Sequence, residues 1–229
     1  MKKMLLVFPM LLLAGCDITV LNTKSDTGDA QAFLIWLSLG IMLLVLAVVF
    51  TLFTVFFWKY RETAANKDEL PKDVKGNFKL ETTWTVIPLI LLTILAVPSI
   101  MITYNQSPIS TAQQQKTEGT HVYVTAEQFK WTFRYENGKE TVNKLVIPAG
   151  ENLYFHLHSK DVIHSFWIPQ LAGKTDVRPT KELVYEIENA EVGTYQGQCA
   201  EYCGMMHAKM QFTTEVVPMK EFSEFLKRK

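Results

Sequence analysis

No ionisable side chain occurs between Asp29 and Lys59. The intervening run, Ala30 to Trp58, is dominated by Leu, Val, Ile, Phe and Met. About 20 apolar residues in a helix cross a bilayer core, and only a helix satisfies its own backbone there, so this run predicts a membrane span. Trp58 and Tyr60 mark its interface, with Lys59 and Arg61 just beyond. A second span is predicted from about Thr82 to Tyr104, with Trp84 and Tyr104 near its ends. Pro88 and Pro98 inside it free backbone carbonyls that neighbouring helices must satisfy, so the hairpin is expected to lie against a larger membrane partner.

Orientation follows from the basic residues. The 59–81 connection carries Lys59, Arg61, Lys67, Lys72, Lys75 and Lys79, whereas the segment from Cys16 to the first span carries only Lys24. The positive-inside rule puts the connection in the cytoplasm and both chain ends outside. The N-terminus starts Met-Lys-Lys and runs apolar to Ala14, as a secretory signal does. Its end, Leu13-Ala14-Gly15-Cys16, resembles the lipobox of bacterial lipoproteins. That resemblance implies removal of residues 1–15, lipidation of Cys16, and a bacterial cytoplasmic membrane as the location. Residues 16–104 then form the N-terminal segment and the two-helix hairpin.

From about residue 105 to 229 the pattern changes to an external domain. A polar linker, Gln106 to Gly119, precedes short segments of period two. Strands are expected at 121–125, 129–135, 145–147, 152–158, 183–187, 194–196 and 210–217, with turn chemistry at Asn137-Gly138 and Pro148-Ala-Gly150. Such spacing predicts an all-β sandwich or Greek-key barrel, closed by an amphipathic helix near 220–229. The 23 basic and 23 acidic residues cancel, which leaves no field favouring nucleic acid. Three cysteines are too few for a disulfide framework.

The densest chemistry is Cys199-Ala-Glu-Tyr-Cys203-Gly-Met-Met-His207-Ala-Lys-Met210, with His164 upstream where a strand is expected to end. Thiolate, imidazole and thioether together select copper or zinc over magnesium or calcium. A Cys199–Cys203 disulfide suits an oxidising compartment but leaves His164, His207 and Met210 without a role. Tetrahedral zinc uses two cysteines and two histidines and has no need of Met210. Copper uses all of them: an early-loop histidine with Cys, His and Met from the last loop is how a cupredoxin holds its metal. Two thiols in one loop could serve two metal ions.

The chain resembles subunit II of the haem–copper cytochrome c oxidases. Its loop matches that family's Cys-x-Glu-x-Cys-x-x-x-His-x-x-Met motif at every specified position, and the segments 164–176 and 80–88 resemble its histidine segment and second helix. The resemblance implies a cupredoxin-like Greek-key barrel carrying the dinuclear CuA centre. Cys199 and Cys203 would bridge two copper ions, His164 and His207 would each supply an imidazole, and Met210 with the Glu201 carbonyl would be the weak ligands. It further implies a magnesium contact through the Glu201 carboxylate at the boundary with the catalytic subunit. Glu81 matches a carboxylate at the mouth of a proton-uptake path; alternatively it is an acid favoured by the helix dipole. The implied activity is acceptance of electrons from cytochrome c and their delivery to a haem of subunit I. Oxygen is reduced to water there, with proton pumping, in company with other oxidase subunits.

Several positions depart from the family. Where it presents a tryptophan to cytochrome c, this chain has Phe129, with Trp131 two residues on; both are candidates for receiving electrons. Lys160 replaces an acidic docking position, although Asp161 is kept. Steering of a basic cytochrome is therefore expected to be weak, favouring a tethered donor. No Cys-x-x-Cys-His haem attachment occurs, so no fused cytochrome is expected. His121, His156 and His158 are read as surface residues without a role, and Met205 and Met206 as a shield for the site. Two rivals are a copper-free quinol oxidase subunit II, whose signature is loss of the cysteines and histidines, and a membrane-tethered copper carrier.

Overall fold

A computed structural model describes residues 18–63, 67, 73, 75–110 and 118–228; Cys16 and the signal-like segment lie outside them. The chain divides into two units, Phe33–Asn105 and a second made of Gln106 onward with the residues up to Ala32.

The helical unit holds most of α1 (Asp26–Tyr60) and α2 (Phe78–Gln106). Both are long and apolar enough to cross a membrane. Their hydroxyls do not stay free: Thr51, Thr54, Thr85 and Thr93 each donate to the carbonyl four residues back. This satisfies polar groups that lipid cannot. The Asn77 side chain accepts from the Lys79 and Leu80 N–H groups and caps α2.

Among the described residues the β unit has eleven strands: β1 (Ile109–Ser110), β2 (Thr120–Glu127), β3 (Lys130–Tyr135), β4 (Glu140–Val142), β5 (Lys144–Pro148), β6 (Asn152–Ser159), β7 (His164–Trp167), β8 (Thr175–Val177), β9 (Leu183–Glu188), β10 (Gly193–Cys199) and β11 (Gln211–Val217). They form two sheets, ordered β1-β9-β6-β2-β3-β4 and β5-β11-β10-β7-β8. The pairs β2–β6 and β5–β11 are parallel and the rest antiparallel, a cupredoxin-like sandwich as expected. Alternation along β3 turns Trp131, Phe133 and Tyr135 inward, where they meet Phe155, Phe166 and Phe212 in a core with almost no exposure. Each such side chain contributes about 1.5–3 kcal/mol by leaving water. A short helix, α3 (Met219–Lys227), closes one end by setting Phe225 against the Tyr135 ring at 5.3 Å.

Four strands escape the sequence pattern. β1, β4 and β8 are two or three residues long, too short to display a period. In β7 the first three positions are all buried, so no alternation exists. His164 therefore opens a strand instead of ending one.

The residues just before the first span are bound to the β unit. Lys24 N–H donates to the Gln170 carbonyl at 2.7 Å. Ser25 Oγ donates to the Leu171 carbonyl and accepts from Gly28 N–H, which makes it an N-cap as well as a tie. Asn189 donates to Asp26 at 2.6 Å and Glu188 N–H to Thr27 Oγ1 at 3.0 Å.

Candidate metal centre

Two strands of one sheet bring the site together. β10 pairs with β7 so that Cys199 lies opposite Phe166, and Ala200 N–H donates to the Ser165 carbonyl at 3.0 Å. That register carries His164 to the start of the 199–210 loop. The loop is folded back on itself: Cys199 N–H donates to the Met210 carbonyl at 2.9 Å and Met210 N–H to the His207 carbonyl at 3.1 Å.

The two cysteines are free thiols with their sulfurs 3.8 Å apart. A disulfide needs about 2.05 Å. Both sulfurs can instead touch one ion, because two metal–sulfur bonds span up to about 4.6 Å. Cys199 Sγ lies 3.8 Å from His164 Nδ1 and 3.2 Å from the Glu201 carbonyl. Cys203 Sγ lies 3.6 Å from His207 Nδ1 and 3.7 Å from Met210 Sδ. The ligand atoms of His164, Cys199 and Cys203 fall within 4.8 Å of one another; His207 approaches through Cys203. Each thiol thus has its own imidazole and its own weak donor, a set with two ends. His164 and Met210 are fully buried and both cysteines nearly so, while His207 is half-buried and the Glu201 side chain exposed.

The electrostatics favour one thiolate first. Burial opposes ionisation of Cys199, but hydrogen bonds from His164 and the backbone outweigh it and bring the thiol to about 6. Burial and the neighbouring Cys199 charge push Cys203 up to about 12. A cation placed between the sulfurs would offset the second negative charge.

Asp161 has a role that sequence reasoning missed. Its Oδ1 meets His164 Nε2 at 2.8 Å, and its carboxylate accepts from the Gln128 and Val162 N–H groups at 2.7 Å. Burial raises its pKa, yet these bonds win and hold it at about 2. A carboxylate behind a ligand histidine fixes the ring and the tautomer that turns Nδ1 to the thiols. The Asp-x-x-His spacing was the available signal. Gln128 adds a second brace, donating to the Cys203 carbonyl at 2.5 Å.

Other expected residues fall as follows. Trp131 is fully buried beneath the centre, its ring 6.1 Å from that of His164, because strand alternation sends it inward; Phe129 is half-buried and beside Gly204. Glu81 lies exposed in the first turn of α2. Lys160 pairs with Glu127 at 3.1 Å. Met205 is 98% exposed and Met206 48%. His156 is buried, which corrects its reading as a surface residue.

Comparisons with known proteins agree with this architecture. Residues 24–102 match the family described as "Cytochrome C oxidase subunit II, transmembrane domain" and residues 132–217 match "Cytochrome C oxidase subunit II, periplasmic domain". The "Cytochrome c oxidase subunit 2" of Alkalihalophilus pseudofirmus is 40% identical over 226 residues, covering 96% of this chain. The chain spans 66% of that relative's length, just under two thirds. The "Quinol oxidase subunit 2" of Bacillus spizizenii is 37% identical, covering 99% of this chain and 72% of that one. Among solved structures, the periplasmic domain of subunit II of cytochrome oxidase (CoxB) of Bradyrhizobium japonicum aligns at 27% identity and a TM-score of 0.46, covering 49% of this chain and 95% of that one. With two membrane-spanning helices and a cupredoxin-like sandwich in that order, this chain belongs to the subunit II family of the haem–copper oxidases.

Proposed function

We propose that this chain receives electrons from cytochrome c at a dinuclear copper centre and hands them to a haem in the catalytic subunit of an oxidase. The observation that carries this is the two-ended donor set, with sulfurs 3.8 Å apart and one imidazole nearest each sulfur. Six donors are more than one tetrahedral ion can use. Cys199 and Cys203 would hold both ions, with His164, His207, Met210 and the Glu201 carbonyl completing them. When bound, a pair of coppers shares one electron, so that gain or loss of charge disturbs each ion little. The protein adds rigidity: Asp161 locks His164 and the backbone bonds of the loop hold both thiols in place. Burial of His164, Met210 and both cysteines keeps water from those donors, and the exposed Glu201 carboxylate is the group we propose for a magnesium contact.

Basic residues between the spans support a cytoplasmic connection, with the β unit on the outer face of a bacterial cytoplasmic membrane. Relatives named for quinol oxidases make the donor the point to test. Copper ligands serve a soluble or tethered one-electron carrier, so cytochrome c is the reading favoured. The purified complex, copper-loaded, should show an electron paramagnetic resonance pattern of one electron over two coppers and should oxidise reduced cytochrome c faster than quinol. A mononuclear spectrum, or oxygen uptake unchanged by Cys203→Ser, overturns the proposal.

A further inference from the structure

The outer face of the six-stranded sheet carries a cluster of imidazole, phenol and carboxylate side chains. β2 and β6 run parallel with His121 opposite Tyr154 and Tyr123 opposite His156. The alternate positions Val122, Val124, Phe155 and Leu157 fill the core, so both histidines point to the far side. There His121 Nδ1 and His156 Nε2 stand 3.0 Å apart. Tyr154 stacks on His121 with ring centroids 5.0 Å apart, and Tyr123 on His156 at 4.5 Å, both pairs inclined by 22°. On the other side of its ring, His156 Nδ1 faces the Glu182 carboxylate at 3.5 Å.

We propose that His121 and His156 form a second transition-metal site, for a divalent ion of tetragonal preference such as Cu(II) or Ni(II), with Glu182 as the residue that orients His156. The bite decides the class of ion. Nitrogens 3.0 Å apart, each bonded at about 2.05 Å, subtend roughly 95° at the metal. That suits the right angles of square-planar or octahedral coordination, not the wider tetrahedral angle. His156 Nδ1 is buried without a hydrogen bond and has the Glu182 carboxylate on its side at 3.5 Å; a proton held there leaves Nε2 as the lone-pair nitrogen. His121 must then turn its own proton to Nε2, a tautomer change that moves no charge. Two stacked tyrosines already fix the ring planes, so little ordering is left for binding to impose. His121 and Glu182 are half-buried, giving an ion access from solvent that His156 alone lacks.

The test uses the full chain in detergent with its thiolate centre copper-loaded, titrated with Cu(II) alone. A parallel titration of Cys199→Ser/Cys203→Ser removes any dependence on that centre. One added equivalent with a mononuclear resonance split by two nitrogens is expected. His156→Gln and the less buried His121→Gln should each abolish the two-nitrogen pattern, and Glu182→Gln should weaken binding about tenfold. Absence of an added equivalent, or one that persists in His121→Gln with its spectrum unchanged, overturns the proposal.

Discussion

Gly197→Ala isolates how tightly the barrel is filled behind its metal loop. Gly197 lies in β10, two residues before Cys199 and directly opposite Phe212 of β11. A Cβ there would sit 2.1, 2.2 and 2.5 Å from three Phe212 ring atoms. Ordinary contact begins near 3.4 Å, so the ring must retreat by roughly 1.3 Å to restore it. It has nowhere to go. Phe212 stacks on Phe166 with centroids 5.2 Å apart and meets Trp131 at 5.5 Å, and all three are essentially without exposure. Overpacking of this kind costs about 1–3 kcal/mol, while removing a glycine from the unfolded chain returns only about 0.4–1 kcal/mol. The clash wins, and a net loss of ~1 kcal/mol should lower the melting temperature of the β unit by about 2–4 °C. The assay is thermal unfolding of the full chain followed by circular dichroism, with Phe212→Leu as the second arm of a cycle. Loss of the ring should relieve the alanine, making the double variant at least ~1 kcal/mol more stable than the two single effects add to. A Gly197→Ala chain as stable as wild type, or strictly additive with Phe212→Leu, refutes the reasoning.

Asp161→Asn removes the anionic partner of His164 while keeping its shape; copper retention against a chelator should fall about 10–100-fold with the fold intact by circular dichroism. Ser25→Ala deletes both a helix cap and the tie to Leu171, and should cost ~1 kcal/mol, seen as faster proteolysis near residues 22–28. Burial, with the nearby His121, lowers the His156 pKa from its ordinary 6.5, so the folded chain binds fewer protons than the unfolded one just below that pH. The stability this residue gives is therefore complete above 6.5 and lost as pH falls through its lowered folded value. Urea midpoints between pH 7.5 and 5 should decline less steeply in His156→Gln.

The two spans, the order of helices before strands, and the dense cluster of thiol, imidazole and thioether side chains could be read from the chain alone. Each is carried by local pattern: unbroken apolarity over a bilayer's thickness, alternation of period two, and Cys199, Cys203, His207 and Met210 within twelve residues with His164 upstream. What the tertiary structure decided is who meets whom. His164 reaches Cys199 only because β7 and β10 pair across more than thirty residues of chain. The same folding turned Asp161 from a docking acid into the brace of His164, drew Trp131 out of reach of the surface, and set His121 against His156. A one-residue slip of a strand exchanges its two faces, so these meetings depend on register and sheet order, which composition and local period do not specify.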